Sequence, residues 1–395
     1  MIVNLSSRLA CARLREFTVR ITIGISSTRG NTDPCKITRR NFGSRMNEDD
    51  VLFKDYKKAG LIQLNRPKAL NTLNLSMVKK IYSTLKQWES SKELIVIKGI
   101  GEKAFCAGGD VKSIALALKD PVEAPVQVQF FQHEYTLNHL IATYKKPYVA
   151  LISGITMGGG VGLSVHGKYR VATERTLFAM PETAIGLFPD VGATYVLPKL
   201  KDNLGIFLGL TGHRLKGIDV LHSGIATHYI SFEKIEDLTN DLLTVQTDID
   251  KIIKKHQPNN VINSEFSLAP YLKQINHCFS APNIEEIISR LEADGSEWAR
   301  NTIETLNKMS PTSLKVTKKA LELGKQQTLA ECLKMEFRLV CSILRPDTDF
   351  YEGVRAVLID KDHKPTWNPK SLREVKDEDV IKKFNLMPLE RELKL

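Results

Sequence analysis

The sequence has few cysteines and no membrane-compatible run, and each absence excludes a class of protein. Six cysteines in 395 residues form no CxxC pair, so neither a disulfide scaffold nor a structural zinc site is indicated. The uncharged run Pro147 to Val165 contains five glycines and predicts a buried strand, a turn and a helix start rather than a membrane span. We therefore expect a globular protein without membrane insertion.

Several motifs of nucleotide-binding and hydrolytic enzymes are also absent. No GxxxxGK[ST] occurs, and Leu163 stands where a GxGxxG that starts at Gly158 requires its last glycine. Ser164 is one residue out of register for a GxSxG nucleophile elbow, so we expect it to be a small residue on a buried helix. His133 and His139 are six residues apart rather than four, so no metal is expected.

The positive charge is concentrated at the N terminus. Residues 1–46 hold eight arginines and Lys36 against Glu16 and Asp33, a net charge of +7, which leaves +4 of the total +11 for the other 349 residues. This Arg- and Ser-rich, acid-poor segment is typical of a mitochondrial transit peptide, with a disordered basic arm as the alternative. Because basic residues do not cluster elsewhere, nucleic acid is not an expected partner.

Short strands alternate with helices up to about residue 230, which indicates an α/β core. The apolar patterns predict strands at 51–53, 61–64, 94–99, 148–152, 169–172 and 177–179, with helices at 76–88, at 127–143 and after Gly158. Beyond residue 231 helices are predicted at 238–253, 284–291, 298–309, 311–323 and 329–344. The predicted organisation is a leader at 1–46, a core at 50–230 and a helical C-terminal region at 231–395.

Two glycine-rich segments, residues 103–110 (KAFCAGGD) and 154–162 (GITMGGGVG), lie where strands are predicted to give way to helices. Glycine allows close approach to a ligand, and helix starts offer unpaired N–H groups. Two such groups that converge on one carbonyl oxygen form an oxyanion hole. The alternative is that the glycines serve tight turns and close packing.

Two acids lie in apolar text: Glu182, after Met180 and Pro181, and Asp190, eight residues later. A carboxyl in apolar surroundings has a raised proton affinity, which suits general acid–base or nucleophilic work. The alternatives are that Glu182 caps a helix or pairs locally and that Asp190 is a turn residue.

Together these segments resemble the crotonase (enoyl-CoA hydratase/isomerase) superfamily. The matching text is residues 65–71 (NRPKALN), 104–110 (AFCAGGD), 157–160 (MGGG) and 178–182 (FAMPE). The resemblance implies an α/β fold, a crotonase-like β-β-α spiral core with a helical C-terminal region. It also implies an acyl-CoA substrate and no metal or redox cofactor. Many crotonases are trimers or dimers of trimers, which favours a homo-oligomer without fixing its size.

The resemblance further implies roles for individual residues. The oxyanion N–H groups would be those of Gly109 and Gly159. The substrate would contact Glu134, Gly159, Glu182 and Asp190, although Glu134 has the alternative of a helix-surface glutamate. The CoA moiety would be held by Arg66, Lys68, Ala69, Leu70, Ala107, Gly108, Asp110 and Val111, with Lys112 as a further phosphate neighbour.

One departure from the superfamily separates two reactions. Hydratases place their first glutamate just after the glycine cluster, and here that position is Gly162. We therefore expect Glu182 and Asp190 to catalyse attack on a thioester carbonyl rather than hydration. The resemblance implies that the substrate is a short 3-hydroxyacyl-CoA thioester of valine breakdown, and the leader places the enzyme in the mitochondrial matrix. Glu182 would act as a nucleophile through a mixed anhydride or as a general base on water. The rival functions are a hydratase or isomerase and a catalytically silent CoA-binding protein.

Overall fold

The elements of the fold follow the apolar patterns of the sequence closely. The computed structural model describes residues 50–119, 124–244, 248–259 and 264–395, so the predicted leader lies outside the described residues. The strands are β1 (Val51–Asp55), β2 (Ala59–Leu64), β3 (Leu94–Gly99), β4 (Ala104–Cys106), β5 (Tyr148–Leu151), β6 (Ile155–Met157), β7 (Tyr169–Ala172), β8 (Leu177–Ala179), β9 (Leu215–Lys216) and β10 (His228–Tyr229).

The helices are α1 (Leu75–Trp88), α2 (Val111–Ala117), α3 (Ala124–Thr143), α4 (Gly159–Ser164), α5 (Ala193–Val196), α6 (Leu204–Thr211), α7 (Asp219–His222), α8 (Ile235–Thr244), α9 (Ile249–His256), α10 (Leu272–Phe279), α11 (Ile284–Asp294), α12 (Glu297–Leu306), α13 (Pro311–Gly324), α14 (Leu329–Ile343), α15 (Asp349–Val354) and α16 (Asp377–Lys382). No helix of the described ranges is long and apolar enough to cross a membrane.

A six-stranded sheet, ordered β1-β2-β3-β5-β7-β10, is buried on both faces. Its strands are parallel except for β1, which pairs antiparallel with β2. In β3, Ile95 and Ile97 belong to the larger apolar cluster, whereas Leu94 and Val96 belong to a smaller cluster under α8 and α9. This alternation is the period of two that a strand imposes, and it explains why the strand text is continuously apolar.

A second sheet, ordered β4-β6-β8-β9, carries the glycine segments and Glu182. β4, β6 and β8 are parallel neighbours, so the segments that follow them leave the same edge of the sheet. The sequence pattern does not predict β4 or β6, because both lie inside the glycine-rich segments 103–110 and 154–162, and glycine-rich text is typical of turns. β4 therefore lies inside the first glycine segment, and the glycines of that segment follow β4 rather than β3.

One predicted helix is wrong in its extent. The pattern predicts a single helix over 238–253, whereas the structure has α8 and then α9. The side chain of Asp248 accepts a hydrogen bond from the Asp250 N–H at 3.0 Å and caps the start of α9. A side chain that caps in this way favours a new helix start over a helix interior.

Candidate active site

The two glycine segments meet at the carboxyl ends of β4 and β6. A Cβ atom added at Gly159 would lie 3.3 Å from the backbone nitrogen of Gly109, so the two amides are neighbours. Gly159 is the first residue of α4, where an N–H has no partner within the helix. Neither amide donates to an acceptor within the described residues. Two adjacent unpaired donors can hold one carbonyl oxygen.

Gly158 makes this arrangement possible through its backbone. Its φ of 46° and ψ of −118° lie in a region that only glycine adopts readily. A Cβ atom at this position would also lie 3.1 Å from Oε1 of Glu182. The glycine therefore lets the chain turn from β6 into α4 while a carboxyl group lies directly beside the turn.

Glu182 is the first residue of a short 3-10 helix, Glu182–Ile185, that follows β8. Its side chain is buried, and Oε2 has no hydrogen-bond partner in the part of the chain that the structure describes. Burial, reinforced by the charge of Asp190, holds the pKa of Glu182 well above its usual value. Glu182 is thus a buried carboxyl with one unpaired oxygen, and it retains its proton readily.

Asp190 lies close to Glu182 and is held by a tyrosine of α3. The Tyr135 hydroxyl donates a hydrogen bond of 2.7 Å to Oδ2 of Asp190. Burial raises the pKa of Asp190 to about 6, while the Tyr135 hydrogen bond acts in the opposite direction. Asp190 is therefore the more easily ionised of the two acids.

Glu134 is the third carboxyl of the site. Its side chain is only 2% exposed, so the alternative of a helix-surface glutamate is wrong. Burial and the charges of Asp190 and Glu182 hold the pKa of Glu134 well above its usual value. A Cβ atom at Gly159 would collide with Oε1 of Glu134, and within the described residues this oxygen has no hydrogen-bond partner.

The position of the first hydratase glutamate is filled by neighbours. A Cβ atom at Gly162 would lie 2.7 Å from Nδ2 of Asn138 and 2.8 Å from Cβ of Val191. Real Cβ atoms essentially never approach so closely. Gly162 is therefore both without a carboxyl and without room for one.

The segment after Asp190 is anchored by residues that sequence reasoning did not identify. Glu336 of α14 accepts hydrogen bonds from the backbone N–H groups of Gly192 at 2.7 Å and Thr194 at 3.1 Å. His166 donates from Nε2 to the Val191 carbonyl at 2.7 Å. Burial raises the pKa of Glu336 to about 8 and lowers that of His166 to about 4. No local sequence signal links these residues, since Glu336 follows Gly192 by 144 positions.

The two segments predicted to hold CoA are joined by backbone hydrogen bonds. Ala107 donates to the Leu70 carbonyl at 3.0 Å, and Arg66 forms an ion pair of 3.2 Å with Asp110. These bonds bring together the predicted set of Arg66, Lys68, Ala69, Leu70, Ala107, Gly108, Asp110 and Val111. Lys68 and Lys112 are exposed, as side chains that reach toward phosphate groups must be. Contact with CoA remains a prediction for all of them.

Ser164 has the structural role that its spacing predicts. It is buried in α4, where its hydroxyl donates to the Gly160 carbonyl at 2.9 Å. Over the described ranges no group of three or more His, Cys, Asp or Glu residues could hold a metal ion.

These features belong to one enzyme family. The family model for enoyl-CoA hydratase/isomerase matches residues 59–384, and the chain belongs to this family. The fold is accordingly the crotonase fold, with parallel sheets and a helical C-terminal region.

Individual relatives are more specific. The chain is 52% identical over 354 residues to "3-hydroxyisobutyryl-CoA hydrolase, mitochondrial" of Danio rerio, which covers 88% of this chain and 92% of that protein. It is 52% identical over 345 residues to the Homo sapiens protein of the same name, covering 85% and 88%. A solved carnitinyl-CoA dehydratase from Mycobacterium thermoresistibile has a TM-score of 0.80 at 36% identity, covering 88% of this chain and 98% of that chain.

Proposed function

We propose that the chain is a mitochondrial enzyme that hydrolyses 3-hydroxyisobutyryl-CoA to the free hydroxy acid and CoA, a step of valine breakdown. The observation that carries the proposal is the pair of buried acids, Glu182 and Asp190, beside a Gly162 position that has no room for a hydratase glutamate. The names of the curated relatives support both the reaction and the location.

In this reaction the thioester oxygen lies between the N–H groups of Gly109 and Gly159. Negative charge develops on that oxygen when the carbonyl carbon is attacked, and the two donors stabilise it without rearranging. Removal of one such donor typically costs about 3–4 kcal/mol of transition-state stabilisation. Stabilisation by backbone N–H groups requires no side chain, which is consistent with glycines at positions 109 and 159.

The acids accept the proton that water loses in hydrolysis and donate a proton to the leaving sulfur. The water oxygen bonds to the acyl carbon, the C–S bond breaks, and the leaving thiolate takes up a proton. Neighbouring carboxyls that share a proton can accept one during attack and return one to the leaving group. Glu182 acts once its proton has passed to the ionised Asp190. It then either removes a proton from water or attacks the carbon itself, in which case water hydrolyses the resulting anhydride.

The remaining predicted residues bind the substrate. The segments at 66–70 and 107–111 hold the CoA moiety, and Glu134 contacts the acyl group near its hydroxyl. No metal or redox cofactor takes part in this scheme, and we propose a homo-oligomeric assembly on the basis of the family. Hydration of an enoyl-CoA is the second candidate function, because solved relatives include proteins titled as a dehydratase and a hydratase.

The proposal is tested by thiol release from purified protein. The substrates are 3-hydroxyisobutyryl-CoA, other short 3-hydroxyacyl-CoA esters, and matched esters without the hydroxyl. We expect release to be fastest from 3-hydroxyisobutyryl-CoA. Release no faster than the spontaneous rate from every ester would contradict the proposal.

A further inference from the structure

A buried amide beside the candidate site has no partner in the described protein. Asn138 of α3 is 0% exposed, and within the described ranges neither Oδ1 nor Nδ2 has a hydrogen-bond partner. An amide side chain offers two donor hydrogens and an acceptor oxygen. Buried polar groups are nearly always paired, so an amide left entirely unpaired needs an explanation.

The position of Asn138 places it with the acyl end of the site. It follows Glu134 by four residues, so the two side chains lie on one face of α3. Opposite them on α4, Gly159 faces Glu134 and Gly162 faces Asn138, as the Cβ positions of both glycines show. Val191, which directly follows Asp190, also lies against the Gly162 position.

The pairing of polar groups around Asn138 is selective. Tyr135 is paired with Asp190 and Glu336 with the Thr194 backbone. Glu134 Oε1, Glu182 Oε2 and both amide atoms of Asn138 are unpaired within the described residues. The atoms without partners are thus those of the residues that face the two α4 glycines and of the acid beside them.

We infer that Asn138 is a specificity-determining residue whose amide hydrogen-bonds the 3-hydroxyl of the acyl group. The inference rests on the proposed function. A hydroxyl donates one hydrogen bond and accepts others, and the amide complements both capacities. An acyl group without the hydroxyl leaves the buried amide unpaired, and sites of this kind reject such analogues strongly.

The test compares two substrates in two proteins. Asn138→Leu keeps the approximate size of the side chain and removes every hydrogen-bonding group. We expect kcat/KM for 3-hydroxyisobutyryl-CoA to fall by about tenfold or more, and kcat/KM for isobutyryl-CoA to stay the same or rise. The thermal midpoint should not fall, since the substitution removes a buried unpaired amide. A structural role would give a lower midpoint and no change in the ratio of the two kcat/KM values.

Ser164→Ala is the matched control. It removes a buried hydroxyl two residues from Gly162 that is already paired within α4, so the ratio of the two kcat/KM values should stay at the parent value. If Asn138→Leu does not fold, Asn138→Ala removes the same groups with less volume, and the same fall in the ratio is expected.

The outcomes separate the inference from the proposed function. If the parent releases thiol and the Asn138 variants lose activity equally toward both esters, the inference is overturned and the proposed function stands. If the parent releases no thiol from either ester, the proposed function itself fails, and the inference fails with it. A selective loss toward the hydroxylated ester supports both.

Discussion

At the scale of single residues, burial determines the chemistry of the three carboxyls. Glu134, Glu182 and Asp190 are all buried, and burial raises the pKa of each. The charge of Asp190 further raises the pKa of both glutamates. Only Asp190 receives a hydroxyl donor, from Tyr135. The free site therefore favours charge on Asp190 and protons on the two glutamates.

Glu182→Gln tests the acid that lies beside the backbone amides of Gly109 and Gly159. The amide has almost the same shape but can neither accept the proton nor attack the carbonyl carbon. We expect kcat to fall by more than about tenfold, which corresponds to a barrier increase above about 1.4 kcal/mol. Circular dichroism and the thermal midpoint should match the parent. A variant that keeps more than about a tenth of the parent kcat would remove Glu182 from the mechanism.

Asp190→Asn tests the ionisable partner. We expect slower thiol release with little change in CoA affinity, because the predicted CoA segments lie elsewhere in the chain. With a pKa raised from 3.8 to about 6, Asp190 loses its charge as the pH falls through about 6, so kcat/KM of the parent should fall there. The raised pKa also means that the folded state binds this proton more tightly, so this group stabilises the fold below about pH 4 and progressively less up to about pH 6.

Both predictions are checked by measuring thiol release and CoA affinity for Asp190→Asn and for the parent across this pH range. Unchanged release would make Asp190 a turn residue, as the alternative interpretation of the sequence holds. If kcat/KM of the parent stays constant through pH 6, the rate does not depend on the charge of Asp190.

At the scale of elements, the site depends on close packing of α4 against α3. Gly162 has no room for a Cβ atom between Asn138 and Val191, so Gly162→Glu must displace them. Overpacking of this kind costs about 1–3 kcal/mol, and the new carboxyl would join three others. We expect a lower thermal midpoint and no gain of crotonyl-CoA hydration.

The matched control for this substitution is Gln87→Glu on the exposed face of α1, which adds a carboxylate without overpacking and should leave the midpoint near the parent value. Hydration of crotonyl-CoA by a stable Gly162→Glu protein would show that the missing glutamate alone separates hydrolase from hydratase.

The elements also show what sequence patterns can and cannot predict. The apolar run of β3 and the helical period of α1 are long enough to be recognised. In the structure Asn74 caps α1, since its side chain accepts a hydrogen bond from the Met77 N–H at 2.8 Å. β4 and β6 lie inside glycine-rich text and give no such signal. The contacts of Tyr135 with Asp190 and of Glu336 with Gly192 join residues 55 and 144 positions apart, and no local pattern carries such information.

Glu182, Asp190 and the glycines could be predicted from the sequence for a different reason. Their signal is local, since acids in apolar text and glycines after strands are visible without the fold. Asn138 gives no such signal, because an asparagine on a helix is ordinarily a surface residue. Only its burial and its unpaired amide single it out.

At the scale of the whole molecule, the C-terminal helices complete the site rather than merely cover it. Glu336 of α14 fixes the backbone that follows Asp190, and Phe337 beside it packs edge-on against Tyr135 at 6.4 Å between ring centroids. The region predicted at 231–395 therefore positions both partners of the Asp190 hydrogen bond.

The predicted loss of the leader would leave the first described contacts of the fold intact. Near the start of the described residues, the Asp50 side chain accepts a hydrogen bond from Asn74 at 2.9 Å, and the Asp50 carbonyl accepts one from the Asn65 N–H at 2.8 Å. Removal of residues up to about Met46 would leave these contacts in place. We expect organelle-purified protein to begin near residue 46, as N-terminal sequencing would reveal. Mature protein that begins at Met1 would contradict this prediction.

The central claim is that the site hydrolyses a thioester rather than hydrates a double bond. The most direct test assays one preparation in parallel for thiol release from 3-hydroxyisobutyryl-CoA and for hydration of crotonyl-CoA. The account predicts that thiol release is much faster than hydration. The reason is that Gly162 stands at the position where a hydratase has the first of the two glutamates that hold its water. Hydration of crotonyl-CoA that is faster than thiol release would contradict it.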